Sequence, residues 1–131
     1  MASRIKAINA LRPKLELGRT VQLDGLVGYI ARRTGLNKSE IIQVLLELHD
    51  AIVFFGRQGY GVKLEGLGTY LPSIRLDGTL DMEHRLDWGV RRDLNRGEYT
   101  GRMLNRGNIG KTADDLVARW NVEYPDDPVG A

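Results

Sequence analysis

Apolar positions recur at two spacings along the chain, and the change from one to the other marks its organisation. Leu23, Leu26, Val27 and Ile30 fall at i, i+3, i+4 and i+7. That is one face of a short helix, which the stop signal at Gly35 ends. Asn37-Lys-Ser-Glu40 follows, with Asn37 placed as an N-cap and Glu40 three residues on, an Asn-led variant of the capping box. This predicts a second helix from about Lys38 to Arg57. Ile41, Leu45, Leu48, Ile52 and Phe55 form one stripe along it; Ile42, Leu46 and Val53 form a second, beside His49. A surface helix shows one apolar face, whereas this one is apolar over most of its circumference. A chain of 131 residues has little material to cover both faces. A second subunit is therefore expected to cover one of them, making an obligate homodimer. Ile41, Leu45, Leu48, His49, Ile52 and Phe55 are its expected interface.

After Gln58-Gly-Tyr-Gly61 the spacing falls to two. Val62 and Leu64 alternate with Lys63 and Glu65, and Gly66 and Gly68 flank Leu67. The glycines suggest a tight turn or bulge between two strand segments. Thr69 to Leu76 reads as a strand that Pro72 confines to an edge, and Asp77-Gly78 is a hairpin signal. Arg85 to Arg92 alternates again, with Leu86, Trp88 and Val90 on one face, and reads as strand. Residues 95–111, rich in Asn, Gly and Arg, read as loop. Thr112-Ala-Asp-Asp115 opens a terminal helix with Ala113, Leu116, Val117 and Trp120 on its apolar face, ended by Pro125-Asp-Asp-Pro128. Upstream, residues 5–19 alternate loosely around Pro13 and read as an edge strand or extended arm. The fold class is α+β. One domain is expected over 1–131: an N-terminal extension or edge strand at 1–20, a core at 21–95, and a C-terminal extension with a helix at 96–131. No repeat, low-complexity stretch or long linker interrupts it.

Composition removes several kinds of chemistry. The chain has no cysteine, which excludes a disulfide framework, a thiolate zinc site, an iron–sulfur cluster and a cysteine nucleophile. The longest apolar run, Ala51 to Phe55, falls far short of a membrane span. Met-Ala-Ser-Arg-Ile-Lys at the start is followed by no apolar segment, so no secretory signal is expected, and a cytoplasmic location is. The net charge of +2 decides nothing by itself, but its distribution is uneven. Residues 1–20 carry Arg4, Lys6, Arg12, Lys14 and Arg19 against Glu16. Residues 85–111 carry six arginines and Lys111 against three acids, while residues 112–131 carry Arg119 against five. Arginine suits bidentate phosphate contact; a solvated mixed-charge surface is the plainer alternative.

The order helix, very apolar helix, glycine-punctuated hairpin, helix resembles that of the bacterial HU/IHF histone-like DNA-binding proteins. The residues that carry the resemblance are Leu26-Val-Gly-Tyr-Ile-Ala-Arg-Arg-Thr-Gly-Leu-Asn37, the helix to Phe55, and Gly59-Tyr-Gly-Val-Lys-Leu-Glu-Gly-Leu-Gly-Thr-Tyr70. They are similar to the family's helix–SGLS–helix–GxxVxLxGFGxF run and need no gap from Gly25 to Tyr70. The match covers roughly a third of the chain. The remainder more closely resembles diverged HU-like domains with an N-terminal extension and a longer C-terminal part. The resemblance implies two N-terminal helices packed in an intertwined dimer, a β-hairpin sheet and a short C-terminal helix. It also implies paired hairpin arms that grip double-stranded DNA in the minor groove. In the family an apolar wedge at a base step bends the DNA, and backbone contacts dominate affinity. This chain departs from that pattern. Between Tyr70 and Val90 its only basic residues are Arg75 and Arg85, against Asp77, Asp81, Glu83 and Asp87, and no proline stands at the hairpin turn. At most modest bending is expected, with Leu76 and Leu80 the nearest apolar candidates for a wedge.

Phosphate contact then falls to Arg75, Arg85, Arg91, Arg92, Arg96, Arg102 and Arg106, positioning the duplex rather than reading its bases. The expected function is non-enzymatic, nucleoid-associated binding of duplex DNA with low sequence specificity, with no cofactor, metal or small-molecule substrate. The acidic hairpin and tail favour an alternative: a dimeric HU-fold structural or interaction module with weak or lost DNA binding. Gly110-Lys111-Thr112 resembles the end of a P-loop. The full pattern needs glycine where Asn105 stands, and Thr112 already has a use as a cap. His49 and His84 are far apart in sequence, and His49 on the apolar helix reads as an interface residue rather than a ligand. Trp88 and Trp120 read as core residues, with base stacking a lesser alternative for Trp88.

Overall fold

The computed structural model describes residues 1–130. In chain order its elements are α1 (Arg4–Leu11), β1 (Lys14–Glu16), α2 (Leu23–Thr34), α3 (Lys38–Arg57), β2 (Val62–Leu64), β3 (Gly68–Ile74), β4 (Leu80–Leu86), α4 (Trp88–Arg96), β5 (Arg102–Leu104) and α5 (Ala113–Glu123), with a single 3-10 turn at Arg106–Asn108. Contacts gather these into two compact units. A central unit spans Thr20–Tyr99; a terminal unit joins Met1–Arg19 to the chain from Thr100 onward. The central unit is thus inserted into the terminal one, although composition marks no linker at either junction.

In the central unit α2 and α3 stand where the 3.6-residue spacing places them. Asn37 occupies the N-cap position of α3, but its side chain does not cap. Its amide points to Glu40 Oε1 at 3.5 Å, and no backbone N–H of the first turn reaches it. The strands form an antiparallel sheet in the order β2-β3-β4, with Val62 opposite Tyr70, Gly68 opposite Leu86 and Ile74 opposite Leu80; β3 is thus the middle strand rather than the expected edge, and Pro72 fits because β2 pairs only with Gly68, Thr69 and Tyr70. The turn between β2 and β3 closes with Leu67 N–H donating to the Leu64 carbonyl. Gly68 then starts β3 where a side chain has no room, because a Cβ would collide with the Arg85 carbonyl and the His84 ring. The hairpin closes as expected at Asp77-Gly78. Gly78 N–H donates to the Arg75 carbonyl at 2.9 Å, and Gly78 takes φ +87°. That is a three-residue loop whose left-handed last position favours glycine.

The expected strand over Arg85 to Arg92 is corrected. β4 ends at Leu86, and α4 begins two residues later. Asp87 makes the break: its carboxylate accepts the Gly89 N–H at 2.9 Å and caps the helix. Trp88 and Val90 extended the alternation by coincidence. Trp88, expected in the core, is 67% exposed.

The terminal unit differs most from expectation. The expected edge strand or arm over 5–19 is a helix followed by a short strand. Ser3 caps α1 by accepting the Lys6 N–H, and Ala7 and Leu11, one turn apart, are its buried face. Residues 95–111 hold a strand rather than loop alone, since β5 pairs antiparallel with β1, Lys14 opposite Leu104 and Glu16 opposite Arg102. The expected Thr112 capping box is present, with Asp115 completing it. Ala2, Ala7, Leu11, Leu116 and Trp120 make the core. Trp120 donates Nε1–H to the Asp127 carbonyl at 2.7 Å and stacks on Tyr124. The last carbonyls of α1 are taken by two asparagines from far along the chain. Asn105 Nδ2 donates to the Ala10 and Arg12 carbonyls at 2.8 and 3.0 Å, and buried Asn108 donates to Leu11 at 2.7 Å. Asn108→Ala should therefore leave the Leu11 carbonyl without its donor. It should cost about 1–3 kcal/mol, measured by denaturant unfolding of the full chain; a wild-type midpoint would show that water replaces the amide.

Candidate nucleic-acid interface

Two surfaces of the central unit lack cover in a single chain. The first is apolar. Ile41 is the one buried residue of α3, and it packs within its own chain beside Ile30, Leu36 and Leu45. Leu45, Leu48 and Ile52 are half-buried and line a groove of about 410 Å³ with Tyr70 and Met82. His49 lies at the edge of that groove, exposed, with Nδ1 3.0 Å from Asp50 Oδ1. Phe55 is exposed and meets Phe54 edge-to-face. On α3 the most open apolar groups are Val44, Leu46 and Phe54, at 65, 60 and 60%. Val44 and Phe54 lie in neither stripe of the sequence pattern. Their signal was the excess of apolar positions from Ile41 to Phe55, more than one helix face can hold.

The second surface is basic. Five of the seven expected arginines belong to the central unit and two, Arg102 and Arg106, to the terminal one, so no single body gathers them all. Arg75 holds Asp81 Oδ2 with Nη2 at 2.8 Å and Nε at 3.1 Å. Arg92 Nε and Arg96 Nη1 share Asp93, at 3.1 and 3.7 Å, and the Arg92 guanidinium lies over the Trp88 ring. Arg102 pairs with Glu16 at 3.0 Å. Among the described residues Arg85, Arg91 and Arg106 have no ion-pair partner within 4.0 Å. Helix α4 therefore presents Arg91, Arg92 and Arg96 with no buried residue of its own. Arg32, Arg33 and Arg57, near the ends of α2 and α3, also lack acid partners and lay outside the expected set. Arg33 instead donates to the Tyr29 hydroxyl at 2.6 Å. Their signal was position, since cations gather in last helical turns.

The acids of the hairpin have structural work at its tip. Asp77 accepts the Thr79 N–H at 2.9 Å; this bond, then the Thr79 hydroxyl, holds its carboxyl below the usual range. The Met82 N–H, then Arg75, does the same for Asp81. At the same tip Leu76 stands fully exposed, and Ile74 and Leu80 at the strand ends are exposed as well.

A family model described as an HU domain fused to wHTH, Ig, or glycine-rich motif matches residues 5–87. That match covers more than half of the chain, and the protein belongs to this family. Its mixture of helices and antiparallel sheet is the α+β, HU-like fold. Comparison with curated proteins finds no match. Among the described residues no helix is long and apolar enough to cross a membrane, and no group of three or more His, Cys, Asp or Glu could hold a metal ion.

The hairpin should loosen in acid. Asp77 and Asp81 are both more acidic folded than unfolded, so the unfolded chain binds more protons as pH falls through their range. Their contribution is present above about pH 4 and is lost below it. Protection of the Thr79 and Met82 amides from hydrogen exchange should fall over that window. It should fall less in a variant carrying Asp77→Asn and Asp81→Asn, and an equal fall in both would assign the acid effect elsewhere.

Proposed function

We propose that the protein is a non-enzymatic, nucleoid-associated DNA-binding protein of the cytoplasm. It acts as a homodimer that contacts duplex phosphates with little sequence preference. The observation that carries this reading is the HU-like fold together with the arginines of α4, carried on an exposed helix. In this reading residues 21–95 are the HU-like core, and α3 of a second copy covers Leu45, Leu46, Leu48, Ile52, Phe54 and Phe55. Arg85 and Arg91 are uncommitted. Arg75, Arg92 and Arg96 are held by exposed, solvent-screened ion pairs, which a phosphate can displace. One observation favours the alternative, an HU-fold interaction module with weak DNA binding. The central unit carries ten Lys and Arg against eleven Asp and Glu, a balance unlike that of a duplex-binding surface.

Two experiments test the reading. Leu46→Glu or Phe54→Glu should leave the chain unfolded or aggregated, because burying each such side chain is worth roughly 1.5–3 kcal/mol. Sedimentation of the wild type should show a dimer at micromolar concentration, and a stable wild-type monomer would sink the dimer. Titration of a labelled duplex at about 50 mM salt should show binding whose log affinity falls with log salt by about 0.9 per phosphate contacted. Arg91→Ala with Arg92→Ala should flatten that slope and weaken unrelated duplex sequences alike. No binding at low salt would favour the interaction module.

A further inference from the structure

The net positive charge of the chain resides on one of its two units. Outside Thr20–Tyr99 there are nine Lys and Arg against six Asp and Glu, whereas the central unit is slightly acidic. Within the terminal unit most acids are already engaged. Asp114 holds Arg4 at 2.6 Å, Asp127 holds Lys6 at 3.1 Å, and Glu123 holds Arg119 at 2.9 Å. Glu16 is taken by Arg102, and Asp115 accepts the Thr112 N–H as part of the α5 cap. Asp126 lies beside Asp127, in the turn after α5.

Three cations without acid partners stand on neighbouring stretches of backbone. Lys14 stands opposite Leu104 in the β1–β5 ladder. The Arg12 carbonyl accepts the Asn105 amide, which brings Arg12 beside the residue preceding Arg106. Among the described residues none of the three has an acid within 4.0 Å. Arg12 and Arg106 are exposed and Lys14 half-exposed.

Cations just past a helix often serve its last carbonyls and its dipole. Here that role is filled. Asn105 and Asn108 donate to the carbonyls of Ala10, Leu11 and Arg12, so the fold does not need the three cationic heads. We propose that Arg12, Lys14 and Arg106 form a phosphate-binding surface for duplex DNA, so that the terminal unit, rather than the hairpin, supplies a main electrostatic contact. Two guanidiniums that can each fork two phosphate oxygens, beside an ammonium and no acid, suit a polyanionic backbone. This rests on the duplex binding proposed above and adds to it a contact from the other unit.

The test is salt-dependent titration of a labelled duplex with the full-length protein, wild type against Arg12→Gln/Lys14→Gln/Arg106→Gln. Sedimentation and thermal melting are run on both. The variant should melt like wild type, keep its oligomeric state, and lose about 0.9 in salt slope for each cation removed in each bound copy. If the triple variant melts early, the single variants Arg12→Gln, Lys14→Gln and Arg106→Gln replace it, and each should flatten the slope by one such step. A wild type that binds with a steep slope that the substitutions leave unchanged overturns this inference while the proposed function stands. A wild type that binds no duplex at low salt overturns both.

Discussion

Helix α3 sets the terms for the rest of the central unit, because it holds more apolar surface than one copy of the chain can hide. Its own sheet shelters one side, where Tyr70 and Met82 face Leu48 and Ile52, and α2 shelters Ile41. In the whole central unit the buried apolar side chains are Val27 and Ile41. Val44, Leu46, Phe54 and Phe55 remain in water. At roughly 1.5–3 kcal/mol for each large side chain left exposed, that shortfall is comparable to the whole stability of an ordinary domain, about 5–15 kcal/mol. The terminal unit shows the opposite balance. It closes a core of its own around Trp120 and satisfies its one buried polar residue, Asn108, with two hydrogen bonds.

The hairpin changes meaning once its acids are located. Read as a string, Asp77 and Asp81 are negative charges on an arm that should approach phosphate. In the structure one holds the turn and the other neutralises Arg75. What the tip presents outward is apolar: Leu76, with Ile74 and Leu80. The acids are therefore a condition of the turn's shape more than a statement about its partner.

Local signals carried much of the fold. The 3.6-residue spacing over Leu23–Ile30 and over α3, the Gly66-Leu67-Gly68 turn, the Asp77-Gly78 hairpin and the Thr112 cap are all decided within a few residues, and each was legible. α1 was missed although its signals were present: Ser3 as cap, Ala7 and Leu11 one turn apart, and Pro13 just beyond. A loose alternation running through both α1 and β1 masked them. β5 was not legible, because three residues become a strand only by pairing with β1 near the other end of the chain. The onset of α4 turned on one Asp87 side chain set against a continuing alternation. Of the candidate site, the arginines could be named from sequence, but which of them were already paired depended on contacts such as Arg102 with Glu16, distant in sequence and close in space.

The insertion of one unit into the other also fixes an order of events during synthesis. The central unit is continuous, so all its residues leave the ribosome in one stretch. The terminal unit is divided, and α1 and β1 emerge before β5 and α5, with no partner of their own unit to pair against. Their ladder cannot close until β5 follows, and their core cannot until Leu116 and Trp120 do. The cost of closing a loop grows only as the logarithm of its length, about 0.6 kcal/mol for each doubling. Residues of α1 and β1 are thus among the last of the two units to find their places, and Ala7 and Leu11 must wait for Leu116 and Trp120.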